Sequence, residues 1–138
     1  MFVLNNTDNK LWIKHKLSDS DICLLYRNPT TEERVAYSME RVKRVNNEVQ
    51  FNFQETRIKY GEKIITGFRD GDFGVVKGDA VVPISSKVGS DNYFEDWKQI
   101  IKENAADVLE LLAATVFDDA LDITKEPEKI DKKKSETT

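Results

Sequence analysis

The chain has 138 residues, of which 39% are hydrophobic and 33% are charged, with a formal net charge of −4. This length can bury a core without disulfides or metals, and the composition is typical of a globular domain rather than a disordered chain. No apolar run reaches the roughly 18 residues of a membrane span, and the N-terminus lacks the regions of a signal peptide, so we expect a cytoplasmic protein with no membrane partner.

The first third of the sequence predicts two strands and a helix. Apolar and polar residues alternate over residues 11–17, and residues 22–26 form a short apolar run, which together predict an antiparallel β-hairpin. Thr30 and Glu33 have the spacing of a capping box, and the apolar residues behind them recur at helical spacing. The sequence therefore predicts a helix from Thr31 to Arg44, ended by Asn46 and Asn47.

The middle of the chain predicts a second helix followed by a glycine-rich hairpin. Helical spacing of apolar residues favours a helix from Gln54 to Thr66, in which Gly61 would permit close packing against another element. Residues 69–89 contain four of the six glycines and two short apolar segments, 73–76 and 80–84. We interpret them as a β-hairpin or a structured loop, with an edge strand at Pro83.

The segment 90–122 predicts a long helical region, capped at Ser90 or Asp91, that is either one helix or two helices broken near Asn104. After Ala105 it is apolar nearly all round, which is typical of a helix that must be covered by its own domain or by a partner. The predicted contact residues for a protein partner or a second copy are Leu109, Leu112, Val116 and Phe117, with Trp97 as a core residue or a further anchor. We expect one domain over residues 1–123 and a charged, disordered tail over 124–138.

Charge is unevenly distributed along the chain. Residues 34–69 carry eight basic and four acidic residues, whereas residues 90–128 carry three basic and eleven acidic ones. Either the two regions face each other, or one of them meets a partner of opposite sign. The alternative function is a nucleic-acid-associated regulator, although interleaved glutamates and a sequence pI of about 5.1 disfavour it. Its basic patch would comprise Arg41, Lys43, Arg44, Arg57 and Lys63.

No residue pattern indicates catalysis, a metal site or a cofactor. The single cysteine, Cys23, excludes an internal disulfide and a cysteine-based zinc cage, and the single histidine, His15, lies on the apolar face of a predicted strand. The sequence from Asp70 to Gly74 lacks the ligands of a calcium loop and is interpreted as a turn. We therefore expect a protein that is not an enzyme.

One segment supports a resemblance to a known class of proteins. The residues from Arg27 to Glu33, Arg-Asn-Pro-Thr-Thr-Glu-Glu, lead from a hairpin into a helix, and an apolar acidic helical region and a charged tail follow. Over residues 11–120 this layout resembles the tail-assembly chaperones and related small morphogenesis proteins of phages and prophages. The resemblance implies a non-enzymatic protein that self-associates and binds the tape-measure or tail-tube protein.

Together these observations predict an α+β fold. An N-terminal antiparallel hairpin or small sheet would pack against three to four helices, including a long C-terminal helical region. The expected function is non-catalytic protein binding or assembly through the apolar C-terminal helical surface.

Overall fold

The computed structural model describes residues 1–17 and 19–118 and has an α+β architecture. The expected end of the domain at residue 123 and the tail over 124–138 lie outside the described residues. In chain order the elements are β1 (Asn9–His15), β2 (Ser20–Tyr26), α1 (Thr31–Glu40), β3 (Val42–Val45), β4 (Glu48–Phe51), α2 (Phe53–Ile64), β5 (Ile65–Phe68), β6 (Gly74–Lys77), β7 (Ala80–Pro83), α3 (Trp97–Asn104), α4 (Ala106–Ala113) and a π-helical turn (Ala114–Asp118).

The largest sheet has the order β1-β2-β5 and is antiparallel throughout. The expected hairpin of β1 and β2 is confirmed, with Leu11 opposite Leu24 and Ile13 opposite Ile22 on the face that packs on the core. The third strand corrects a prediction, because the helix expected to reach Thr66 ends at Ile64. Two β-branched residues, Ile65 and Thr66, begin a strand there that pairs with β2.

Helix α1 begins as the sequence predicts. The Thr30 side chain accepts a hydrogen bond from the Glu33 amide, and the Glu33 carboxylate accepts one from the Thr30 amide, at 3.1 and 2.9 Å. The two guanidinium nitrogens of Arg27 also donate to the Glu33 carboxylate, at 2.7 and 2.8 Å, which holds the pKa of Glu33 at about 2. The capping glutamate therefore also ties the helix to the end of β2.

The predicted end of this helix at Arg44 is wrong, because α1 ends at Glu40 and residues 42–51 form a second hairpin. Asn46 and Asn47 both have positive φ, at 51° and 68°, as a two-residue type I′ turn requires. That turn aligns β3 and β4, whose valines favour extended backbone. The asparagines thus connect two strands rather than ending a helix.

The C-terminal region folds back on the rest of the chain. Of the two alternatives for this region, the structure has two helices broken at Asn104: the Asn104 side chain donates to the Ile100 carbonyl, and Ala105 has a non-helical φ and ψ of −145° and 47°. The expected cap at Ser90 or Asp91 is not the helix start, because the backbone of Asn92 and Phe94 is hydrogen-bonded to Ser85. The first helix of this region, α3, therefore begins only at Trp97. Upstream of it, residues 74–83 form the expected hairpin.

Helix α4 packs closely on α2, as the sequence predicts at Gly61. A Cβ atom on Gly61 would lie 2.2 Å from the carbonyl oxygen of Leu109, so only glycine permits this separation. The core lies between the first sheet and the helices α2, α3 and α4, and Leu24, Ile64 and Phe68 are among its buried residues. Among the described residues, no helix is long and apolar enough to cross a membrane.

Candidate binding surface

The expected interface residues lie within the protein's own core. Leu109 and Leu112 are only 1% and 0% exposed, and Trp97 is buried beside Phe68. Val116 and Phe117 are partly buried and pack against the same core. The structure thus brings all five residues together, and α2 supplies the cover that the apolar surface after Ala105 requires.

Phe117 belongs to an aromatic cluster that joins the chain's last described turn to α1 and α2. Its ring stacks on Tyr37 at 4.6 Å between centroids and meets the ring of Tyr60 edge-on at 5.6 Å. Burial and a hydrogen bond to Asp118 raise the pKa of Tyr37 to about 12. Burial and a 2.5 Å hydrogen bond to Glu40 likewise raise the pKa of Tyr60 to about 12. Both hydroxyls are therefore donors fixed in the fold at neutral pH.

A polar network surrounds this aromatic cluster and uses part of the predicted basic patch. The Asp118 carboxylate accepts hydrogen bonds from the Tyr37 hydroxyl, from Arg41 Nη1 at 3.1 Å and from Arg57 Nε at 2.6 Å. Arg57 also lies 3.5 Å from the carboxylate of Glu110. In these contacts the basic middle of the chain does face the acidic C-terminal region, which was one of the two expectations from the charge distribution.

The structure divides the five basic patch residues. Arg41 and Arg57 are paired with Asp118, and Lys63 Nζ lies 5.8 Å from the centroid of the Tyr60 ring. Lys43 and Arg44 project from the exposed strand β3 instead. The patch is therefore not one continuous cationic surface for phosphates, because two of its guanidinium groups are already neutralised.

The strands β3 and β4 are exposed along their whole length. All eight of their residues are exposed, and in the part of the chain that the structure describes no third strand pairs with them. The register places Val42 opposite Phe51 and Arg44 opposite Val49, so these four side chains share one face. The Phe51 side chain on that face is 66% exposed.

Helix α1 also carries exposed apolar side chains. Val35 and Met39 lie four residues apart on one side of the helix and are both exposed, whereas Tyr37 between them points into the aromatic cluster. We use the name outer surface for Val35, Met39, Val42, Val49 and Phe51 together. At the base of the hairpin, the ring of Phe53 lies beside that of Phe51, with centroids 5.5 Å apart and the rings tilted by 37°.

The residues considered for chemistry have structural roles. His15 Nε2 lies 2.9 Å from the Asp107 carboxylate and links β1 to α4. Cys23 is buried, and its amide donates to the Asp72 carboxylate at 2.7 Å, while Asp70 accepts from the Ser85 hydroxyl at 2.6 Å. Among residues 1–17 and 19–118, no cluster of three or more His, Cys, Asp or Glu could hold a metal ion.

Comparison with protein-family models, with curated proteins and with solved structures found no match. Reasoning from the sequence missed the outer surface because the valines at 35, 42 and 45 also fit a helical repeat. The signal that could have found it is Asn46-Asn47 between two short runs that contain valine, because two residues that tolerate positive φ between such runs are the pattern of a type I′ hairpin.

Proposed function

We propose that this protein is a non-catalytic binding and assembly protein that holds a protein partner, or a second copy of itself, on its outer surface. The observation that carries the proposal is the fully exposed β3–β4 hairpin with an apolar face. A lone two-stranded hairpin is only marginally stable in water, and contiguous exposed apolar side chains mark interaction sites. The proposal keeps the expected class of function and moves the contact surface from α4 to the hairpin.

The more specific part of the proposal is a role like that of phage tail-assembly chaperones, in the cytoplasm. It is supported by the layout of the chain and by the capped helix that follows Arg27-Asn28-Pro29-Thr30. A chaperone of that kind needs an accessible apolar surface and no catalytic centre, and the outer surface supplies the first requirement. The nucleic-acid alternative retains support only from Lys43 and Arg44, because Arg41 and Arg57 are paired with Asp118.

The test measures association of the full chain by light scattering over a wide concentration range, alone and with a co-expressed tail-tube or tape-measure protein. We expect a mass above that of the monomer in at least one case, and loss of the complex in the double variant Val49→Thr, Phe51→Ser. The control is Val76→Thr with Val81→Thr on the β6–β7 hairpin, a facing pair of residues that are 74% and 76% exposed and lie outside the outer surface.

Two results would oppose the proposal. A strictly monomeric mass in every mixture would remove its main support. Equal loss of the complex in the β3–β4 and β6–β7 variants would show that the outer surface has no special role, because the β6–β7 pair lies outside it and loses less apolar area.

A further inference from the structure

We infer that the occupant of the outer surface is an acidic amphipathic helix of the partner. A carboxylate of this helix pairs with Arg44, and its apolar side covers Val42, Val49 and Phe51. The inference rests on the proposed function and names the chemistry of the partner.

The charge of the apolar face points to an acidic partner. Arg44 is the one charged residue among the four side chains on that face of the hairpin, because Lys43 and Glu48 lie on the other face. Within residues 1–17 and 19–118, no carboxylate lies within ion-pair distance of Arg44. Any apolar partner that covers the face must therefore neutralise this guanidinium or bury it unpaired.

The nearby arginines do not change this requirement. Arg41 and Arg57 each lie over the ring of Phe53, at 5.5 and 5.8 Å from its centroid, and both are hydrogen-bonded to Asp118. Arg57 also lies 3.5 Å from the Glu110 carboxylate, so two carboxylates balance the two guanidinium charges within the fold. Arg44 is left as the cation that a partner's carboxylate would meet, and a guanidinium can bind a carboxylate through two parallel hydrogen bonds.

The same charge argues against a second copy lying face to face on the hairpin. Two copies related by a twofold axis would bring two Arg44 side chains into one apolar contact, and that face offers no carboxylate. Burying two like charges without a carboxylate between them is unfavourable. A partner that brings carboxylates to the face avoids this repulsion.

The dimensions of the hairpin match a single helix. Two strands about 4.8 Å apart with their side chains give a face roughly 10 Å wide, which is about the diameter of an α-helix. Four residues per strand span about 14 Å, which a helix covers in about nine residues. A helix satisfies its own backbone hydrogen bonds, so it can lie on the face without pairing with a strand edge.

The experiment uses two fluorescent peptides of about twelve residues with the same leucine pattern, one with glutamate and one with lysine at the polar positions. Binding to the full-length protein is measured by anisotropy at low salt. We expect the wild type to prefer the Leu/Glu peptide by about tenfold, which corresponds to about 1.4 kcal/mol, and Arg44→Glu to prefer the Leu/Lys peptide. Phe51→Ser should weaken the binding of both peptides. Lys77→Glu, the same charge change on the β6–β7 hairpin, should leave the preference unchanged.

The outcomes separate the inference from the proposed function. If Phe51→Ser weakens the binding of both peptides while Arg44→Glu leaves the preference unchanged, the inference of an acidic partner is wrong and the proposed surface stands. If Phe51→Ser changes the affinity for neither peptide, both the inference and the proposed surface are wrong. The chain's own sequence from Asp119 to Ile123 is also acidic and apolar. If Leu121→Ser with Ile123→Ser raises peptide affinity, these residues occupy the surface, and a partner in trans is overturned.

Discussion

Gly61→Ala should destabilise the protein although it places a better helix former inside α2. A Cβ atom at this position would lie 2.2 Å from the Leu109 carbonyl oxygen and 2.8 Å from its carbonyl carbon. Both contacts are with backbone, so no side-chain rotation can relieve them, and α4 must retreat by about 1 Å to restore van der Waals separation. That movement would loosen Leu112 and its neighbours in the core.

The expected magnitude follows from two opposing effects. Overpacking a core costs about 1–3 kcal/mol, and a clash with backbone belongs at the upper end, at about 3 kcal/mol. The higher helix propensity of alanine offsets about 1 kcal/mol of this cost. We therefore expect the free energy of unfolding to fall by about 2 kcal/mol.

The assay is equilibrium urea unfolding followed by circular dichroism and by tryptophan fluorescence. The matched control is Glu55→Ala on the exposed side of α2, which should change the free energy of unfolding by less than about 0.5 kcal/mol. If Gly61→Ala is as stable as the wild type or more stable, the close approach of α2 and α4 is refuted.

Three further predictions concern the core and the polar contacts. In urea unfolding, Leu112→Ala should lower the free energy of unfolding by about 2–5 kcal/mol. Leu111→Ala, at a side chain that is 45% exposed, should lower it by less than about 1 kcal/mol. Similar values for the two variants would contradict the burial of α4. The pKa of Glu33 lies at about 2 in the fold against an ordinary 4.5, so its contribution is present above pH 4.5 and is lost as the pH falls towards 2. Glu33→Gln should therefore be less stable than the wild type by about 1–2 kcal/mol at pH 7, and a pH titration of unfolding should show this difference vanish in that window. A double-mutant cycle of Tyr37→Phe and Asp118→Asn should give a coupling of about 1–2 kcal/mol, and strict additivity would contradict their hydrogen bond.

The parts of the fold that local chemistry determines could be predicted from the sequence. The capping box at Thr30 and Glu33 satisfies amides of its own helix, and the alternation of β1 follows from the side-chain period of a strand. Gly61 could be assigned to close packing because glycine inside a helix costs stability unless a neighbour needs the space. The sequence offers a break at Asn104 only as one of two alternatives, and the structure shows that its side chain competes for a backbone carbonyl.

The remaining parts depend on tertiary contacts that no short window contains. Ile65 to Phe68 continues the apolar pattern of α2, and only pairing with β2 makes it a strand. The helix α4 has apolar residues on nearly every side, and periodicity alone does not distinguish cover by α2 from cover by a partner. The omission of the outer surface has a different, local cause: Val42 and Val45 fit a helical repeat, and Asn46-Asn47 fits a helix end as well as a hairpin turn.

The most direct test of the central claim, that α4 is core and the β3–β4 hairpin is the accessible surface, is the rate of thiol labelling. Cys23 is buried, so a cysteine placed elsewhere in the full chain reports its own accessibility. The thiol of Val49→Cys should be labelled at a rate within about tenfold of that of an unfolded thiol. The thiol of Leu112→Cys should be labelled about a thousandfold more slowly, because it becomes accessible only when the surrounding structure unfolds, which costs several kcal/mol. Rapid labelling at position 112 together with protection at position 49 would contradict the account.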